Sequence, residues 1–130
     1  MITVKDVKNS EEEKTFLSIA EKQMQILGYT EHSFRHVSLV SDTAGMILEK
    51  LGYPEREAEL TRIAGILHDI GNAVNRTDHA HTGAVLAYNI LTGMGMDIKE
   101  AAEIMLAIGN HDERTGTSVS NISAALILAD

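Results

Sequence analysis

An all-α helical bundle is the fold class that these 130 residues predict, and three observations carry it. The chain has one proline, Pro54. No run of strand length alternates convincingly between apolar and polar residues. Apolar residues recur instead at three- and four-residue spacing, in segments that open on capping side chains and close at glycine. About six helices are expected in a single domain over 1–130. Residues 1–30 supply an N-terminal helix and the loop leading into the core, and 31–130 supply the core itself.

Taken in order, the first helix opens at Ser10, a capping side chain with Glu13 three residues on, and stops at Gly28. Ser33 starts a second, which runs to Leu51 with Gly52 as its stop. Pro54 suits the first turn of a third, where its fixed φ costs nothing; Leu60, Ile63, Ala64 and Leu67 line one face of that helix. A fourth runs from about Thr82 to Leu91, before a Gly-Met-Gly turn. Asp97 and Glu100 form a capping-box pattern for a fifth, ending near Gly109. The sixth begins near Asn121 and is still running at Asp130.

Composition removes several functions. The net charge of −8 repels nucleic-acid phosphate over most of the surface, no Lys/Arg cluster offsets it, and aromatics are few, so duplex nucleic acid is not an expected partner. Without cysteine there is neither a disulfide nor a thiolate metal site. No stretch approaches the roughly 20 apolar residues of a membrane span, and MITVKDVKNSEEEK is too polar for a signal peptide. A soluble cytoplasmic protein is expected.

The chemistry lies in the histidines. His36 shares a face with Val40 and Ile47, and His68 follows Ala64 by four residues. His81 precedes Ala84, Val85 and Tyr88 at helical spacing. His111 lies just past Met105, Leu106 and Ile108, and Asp130 follows Leu126 by four. With Asp69, these make six groups from five helices directed at the interior. A lone interior histidine is ordinarily a hydrogen-bonded core residue. Six groups together each need a partner, because an unpaired buried polar group costs several kcal/mol. A metal cluster satisfies all of them at once, and bundle interiors are where such clusters form. His32 and His79 are placed at the surface or rim; helix phase favours His81 over His79. Imidazole and carboxylate without sulfur suit Fe, Mn, Co, Ni or Zn, with Mg admissible at an oxygen-rich position. On a helix, neighbouring His68 and Asp69 diverge by about 100°. Asp69 can therefore give one oxygen to each of two divalent cations, and two such ions leave a net positive site able to hold phosphate.

These residues resemble the HD superfamily of metal-dependent phosphohydrolases over roughly residues 30 to 130. The pattern H…HD…D reads His36, His68-Asp69 and Asp130, within FRHVSLV, GILHDIG and AALILAD. The resemblance implies the HD-type helical bundle. It also implies one metal held by His36, His68, Asp69 and Asp130. In its dinuclear subset a second metal is held by Asp69, His81 and His111, with Asp69 bridging. HDIGN carries Asn72 where the cyclic-dinucleotide phosphodiesterase branch has lysine, Asn110 precedes His111 where that branch has a second histidine, and no GYP stretch follows, so that branch is disfavoured. Family members continue the last helix, so a natural chain longer than this one is expected.

The implied activity is hydrolysis of a small phosphomonoester or nucleotide by a metal-activated water, with Asp69 as the catalytic carboxylate. Arg35, Arg76 and Arg114 are candidates to hold substrate phosphate, and Asn72, Asp112 and Glu113 to support the ligands. Two other readings stay open: a regulatory module that binds metal and nucleotide without turnover, and a di-iron oxygenase on the same fold.

Overall fold

Side-chain caps start most of the helices. In the computed structural model, which describes residues 1–29, 34–112 and 117–130, Thr3 caps α1 (Val4–Lys8) in a reciprocal box with Asp6. Ser10 caps α2 (Glu11–Ile26), Pro54 stands at the N-cap of α4 (Glu55–Leu67), Asp97 caps α6 (Ile98–Gly109) and Ser120 caps α7 (Asn121–Ala129). Between them run α3 (Phe34–Lys50) and α5 (His79–Gly93), and a 3-10 turn, Ile70–Ala73, follows α4. The described residues are all-α with no strand. Ser33, expected to begin the second helix, lies outside them, as does His32.

The helix count exceeds the expected six because α1 is only five residues long, too short to show a period. It is nonetheless fastened. Val7 is fully buried, the Val4 N–H donates to Glu59 Oε2 (2.8 Å), and Arg56 donates to the Ile2 carbonyl (2.7 Å). Arg56 also holds Glu100 with two hydrogen bonds, at 2.7 and 2.9 Å. That takes Glu100 away from the reciprocal cap expected with Asp97, whose side chain still accepts from the Glu100 N–H.

Helix α4 is the centre of the bundle, touching α1, α3, α6 and α7, while α5 packs on α6 and α2 covers the 3-10 turn. Every residue from Ile63 to Leu67 is buried. The helix therefore ends inside the protein, and His68 and Asp69, the next two residues, are buried. Two close approaches shape their surroundings. A methyl group on Gly65 would lie 2.5 Å from Ser41 Cα, so α3 crosses α4 with backbones nearly touching, and Ser41 Oγ donates to the Arg62 carbonyl there (2.8 Å). A methyl on Gly71 would collide with the His79 carbonyl oxygen and meet the Gly83 nitrogen at 2.7 Å, so the 3-10 turn sits directly on the start of α5.

Glu13 departs from the expected cap. Ser10 accepts from its backbone N–H (3.4 Å), but its carboxyl group is 1% exposed and neither oxygen has a hydrogen-bond partner. Desolvation pushes its pKa from the ordinary 4.5 to about 7, against the opposing pull of Lys14 and Lys8. The folded state holds this proton more tightly than the unfolded chain. Its contribution to stability is therefore full below about pH 4.5 and is lost as pH rises through 7. Glu13→Gln should stabilise the protein at pH 8 by on the order of 2 kcal/mol, with a gain that shrinks toward pH 5. Thermal melts across that range check this; a gain independent of pH contradicts it.

Candidate metal centre

Three imidazoles are oriented by the same local device. His68 Nδ1–H donates to the Gly65 carbonyl (2.6 Å), His79 Nδ1–H to that of Arg76 (3.2 Å) and His111 Nδ1–H to that of Ile108 (2.5 Å). Each acceptor stands three residues earlier: Gly65 and Ile108 lie in the last turns of α4 and α6, where carbonyls lack intrahelical partners, and Arg76 lies in the loop just ahead of α5. A carbonyl only accepts, so Nδ1 carries a proton and Nε2 is turned to the interior, where its lone pair can serve a cation. That is the tautomer and orientation a metal-binding histidine takes.

The three Nε2 atoms surround Asp69. Its Oδ2 lies 3.4 Å from His68, and its Oδ1 lies 3.5 Å from His79 and 3.7 Å from His111. At the outer end Asp130 Oδ1 is 3.2 Å from His36 Nε2 and 3.4 Å from His68 Nε2. The imidazoles form a file, with ring centroids 5.7 Å apart from His36 to His68 and 5.2 Å apart for both His68–His111 and His79–His111. His68, Asp69, His79 and His111 are buried, whereas His36 and Asp130 are partly open, so the cluster has a closed inner end and an accessible outer one. The close α3–α4 crossing at Gly65 is what lets His36, on α3, reach His68.

A cation fits this donor set. His68 Nε2 is buried and has no hydrogen-bond partner despite the two carboxylates beside it. Full desolvation pushes the His68 pKa down, yet Asp69 and Asp130 outweigh it and push it up to about 9. The pocket thus attracts positive charge strongly enough to put a proton on a wholly buried imidazole. His36, His68 and Asp130 offer ligand atoms within 4.8 Å of one another, as do His68, Asp69 and His111.

His81 is the main correction. It is 69% exposed and pairs outward with Asp78 (2.9 Å). His79, expected at the rim, is buried and faces Asp69 in its place. The expected phase followed the larger apolar residues, but Val85 is exposed and the buried stripe is Ala80, Gly83, Ala84 and Ala87. Small residues face inward because α5 lies so close to the turn at Gly71. The helix also begins at His79 rather than Thr82. The signal available in the sequence was that Ala/Gly stripe.

The other expected residues scatter. Arg76 donates to Asn72 Oδ1 (3.3 Å) and lies over the Tyr29 ring, 5.6 Å from its centroid. Asn72 is buried, and its Nδ2 has no hydrogen-bond partner. Arg35 is exposed in the first turn of α3, and Asp112 is half-buried beside His111. Arg114 and Glu113 lie outside the described residues. No helix among the described residues is long and apolar enough to cross a membrane.

A bundle with His36, His68-Asp69 and Asp130 converging in this way defines a class, and comparison agrees. The HD domain family matches residues 33–129, and the chain belongs to that family. It is similar to a predicted HD superfamily hydrolase from an uncultured Thermotogales bacterium, known from a crystal structure, with 29% identity and a TM-score of 0.67. The match covers 89% of this chain and 64% of that one. No curated protein matches.

Alanine variants separate the two neighbouring histidines. His79→Ala should lower bound manganese and reduce metal-induced thermal stabilisation, while His81→Ala should match wild type in both. Metal analysis and paired melts decide it; the reverse ranking would restore His81 as the inward residue.

Proposed function

We propose that the chain is a metal-dependent phosphohydrolase acting on a small phosphomonoester or nucleotide, with two divalent ions held on either side of Asp69. One observation carries this reading: the two oxygens of a single buried carboxylate face different histidines. Oδ2 is turned to His68 and Oδ1 to His79 and His111. His36, His68, Asp69 and Asp130 would hold one ion and Asp69, His79 and His111 the other. Fe, Mn, Co, Ni or Zn suits the nitrogen-rich set, and Mg the oxygen-rich end. Such ions, when bound, acidify a water and neutralise charge on phosphoryl oxygens.

The chain's own groups supply the rest. Asp69 orients the attacking water and accepts its hydrogen bond. Arg76 stands seven residues beyond Asp69, steadied by Asn72 and Tyr29, and offers a guanidinium to the phosphate. Family membership and the likeness to a hydrolase support hydrolysis as the reaction type.

Metal-loaded protein should release phosphate from at least one member of a panel of nucleotides and simple phosphomonoesters, stop with chelator and restart with Mn or Co. Asp69→Asn keeps the shape but loses the charge, and should reduce turnover by more than about 100-fold. Full metal content with no hydrolysis across the panel would favour the regulatory module, and oxygen uptake by the iron-loaded form would favour the oxygenase.

A further inference from the structure

The carboxamide of Gln23, on α2, reaches across to the 3-10 turn. Its Nε2 lies 3.2 Å from the Asn72 carbonyl oxygen, 3.0 Å from that of Ala73 and 3.2 Å from that of Val74. These are the last carbonyls of a short helix, the ones with no partner inside it. Two N–H bonds are shared among three acceptors, so a side chain some fifty positions away in sequence caps the turn from outside. The opposite side of the turn is closed by α5, where Gly71 admits no side chain. The turn is therefore gripped from both sides, with Asp69 at its start.

The same end of α2 touches Arg76. Gly28 turns at φ +87, and the Tyr29 N–H donates back to the Met24 carbonyl (2.8 Å) while Leu27 N–H donates to that of Gln23 (3.0 Å). This closure of the helix sets the Tyr29 ring against the Arg76 guanidinium. The other hold on Arg76 is Asn72 Oδ1, from the turn that Gln23 caps. Both restraints on the guanidinium thus originate in the last turn of α2, which lies outside the residues matched by the family.

We propose that Gln23 is a positioning residue: by capping the 3-10 turn it sets Asn72, and through Asn72 it holds Arg76 as an anion-binding group on the loop whose carbonyl orients His79. The proposal rests on the phosphohydrolase reading for the identity of the anion. It predicts that α2 governs how tightly phosphate is held and leaves metal retention alone.

Inorganic phosphate is the probe, titrated by calorimetry into manganese-loaded protein. Gln23→Met keeps the length of the side chain and removes its donors; Gln23→Glu sets a carboxylate against three carbonyls. Both should retain wild-type manganese content and bind phosphate about five- to tenfold more weakly. Amide exchange at Val74 and Asn75, whose N–H groups bond within the turn at 3.0 and 3.2 Å, should be faster in both. Added to Arg76→Gln, Gln23→Met should weaken phosphate binding no further, because its effect runs through that arginine.

Equal phosphate affinity in wild type and both Gln23 variants overturns the proposal, and so does an undiminished effect of Gln23→Met in the Arg76→Gln background. Loss of manganese together with phosphate binding also overturns it, since Gln23 would then support the cluster itself. A metal-loaded wild type with no affinity for phosphate counts against the phosphoester reading and removes the anion site with it. A wild type that binds while both variants bind equally well sinks the role of Gln23 alone.

Discussion

A carboxylate enclosed by imidazoles at the buried end of a helix is the constraint on which the rest depends. Asp69 has lost bulk water, and three Nε2 atoms stand within 3.7 Å of it. Protonation of His68 relieves part of that charge, as its raised pKa shows. It cannot serve the whole cluster, because Asp69 and Asp130 both approach the same Nε2, each at 3.4 Å, and one proton there is shared between two carboxylates. Divalent cations would resolve the conflict by satisfying lone pairs and charge together. The carbonyls of Gly65, Arg76 and Ile108 make that resolution available, since each fixes a ring with its lone pair inward.

The backbone is arranged around this requirement. Gly65 lets α3 lie against α4, and Gly71 lets the 3-10 turn lie against α5. Larger residues there would push apart the elements that carry His36 and His79. Elsewhere the core is ordinary: Ile63, Ile66, Leu67, Ile90, Ile104, Ile108 and Leu126 are all buried and packed together. The apolar core holds the helices, and the glycines and small residues decide how near their ends come. The close approaches therefore belong to the site as much as the ligands do.

Much of this was legible in the sequence, for physical reasons that differ by element. Helix starts at Ser10 and Asp97 follow from local capping chemistry, which needs no tertiary partner, and the last helix starts at the expected Asn121 behind a Ser120 cap. The HD pair was legible because an apolar helix face running into two polar residues demands explanation. Helix α1 was not, since five residues held by Arg56 and Glu59 carry no period of their own. His79 was misplaced because Ala80, Gly83, Ala84 and Ala87 are buried by a close backbone approach, and side-chain hydrophobicity pointed to the Val85 face. The Gln23 cap has no local signature; it joins residues that only the fold brings together. Glu13 looked like half of a capping box and is instead a buried acid.

The central claim is that Asp69 is shared between two ions. Anomalous diffraction from manganese-loaded crystals, recorded across the metal edge, tests it most directly. Two peaks are expected, one beside each oxygen of Asp69, with His36, His68 and Asp130 around the first, His79 and His111 around the second, and His81 in solvent. One peak at the outer histidines alone, or two peaks that do not share Asp69, would contradict it.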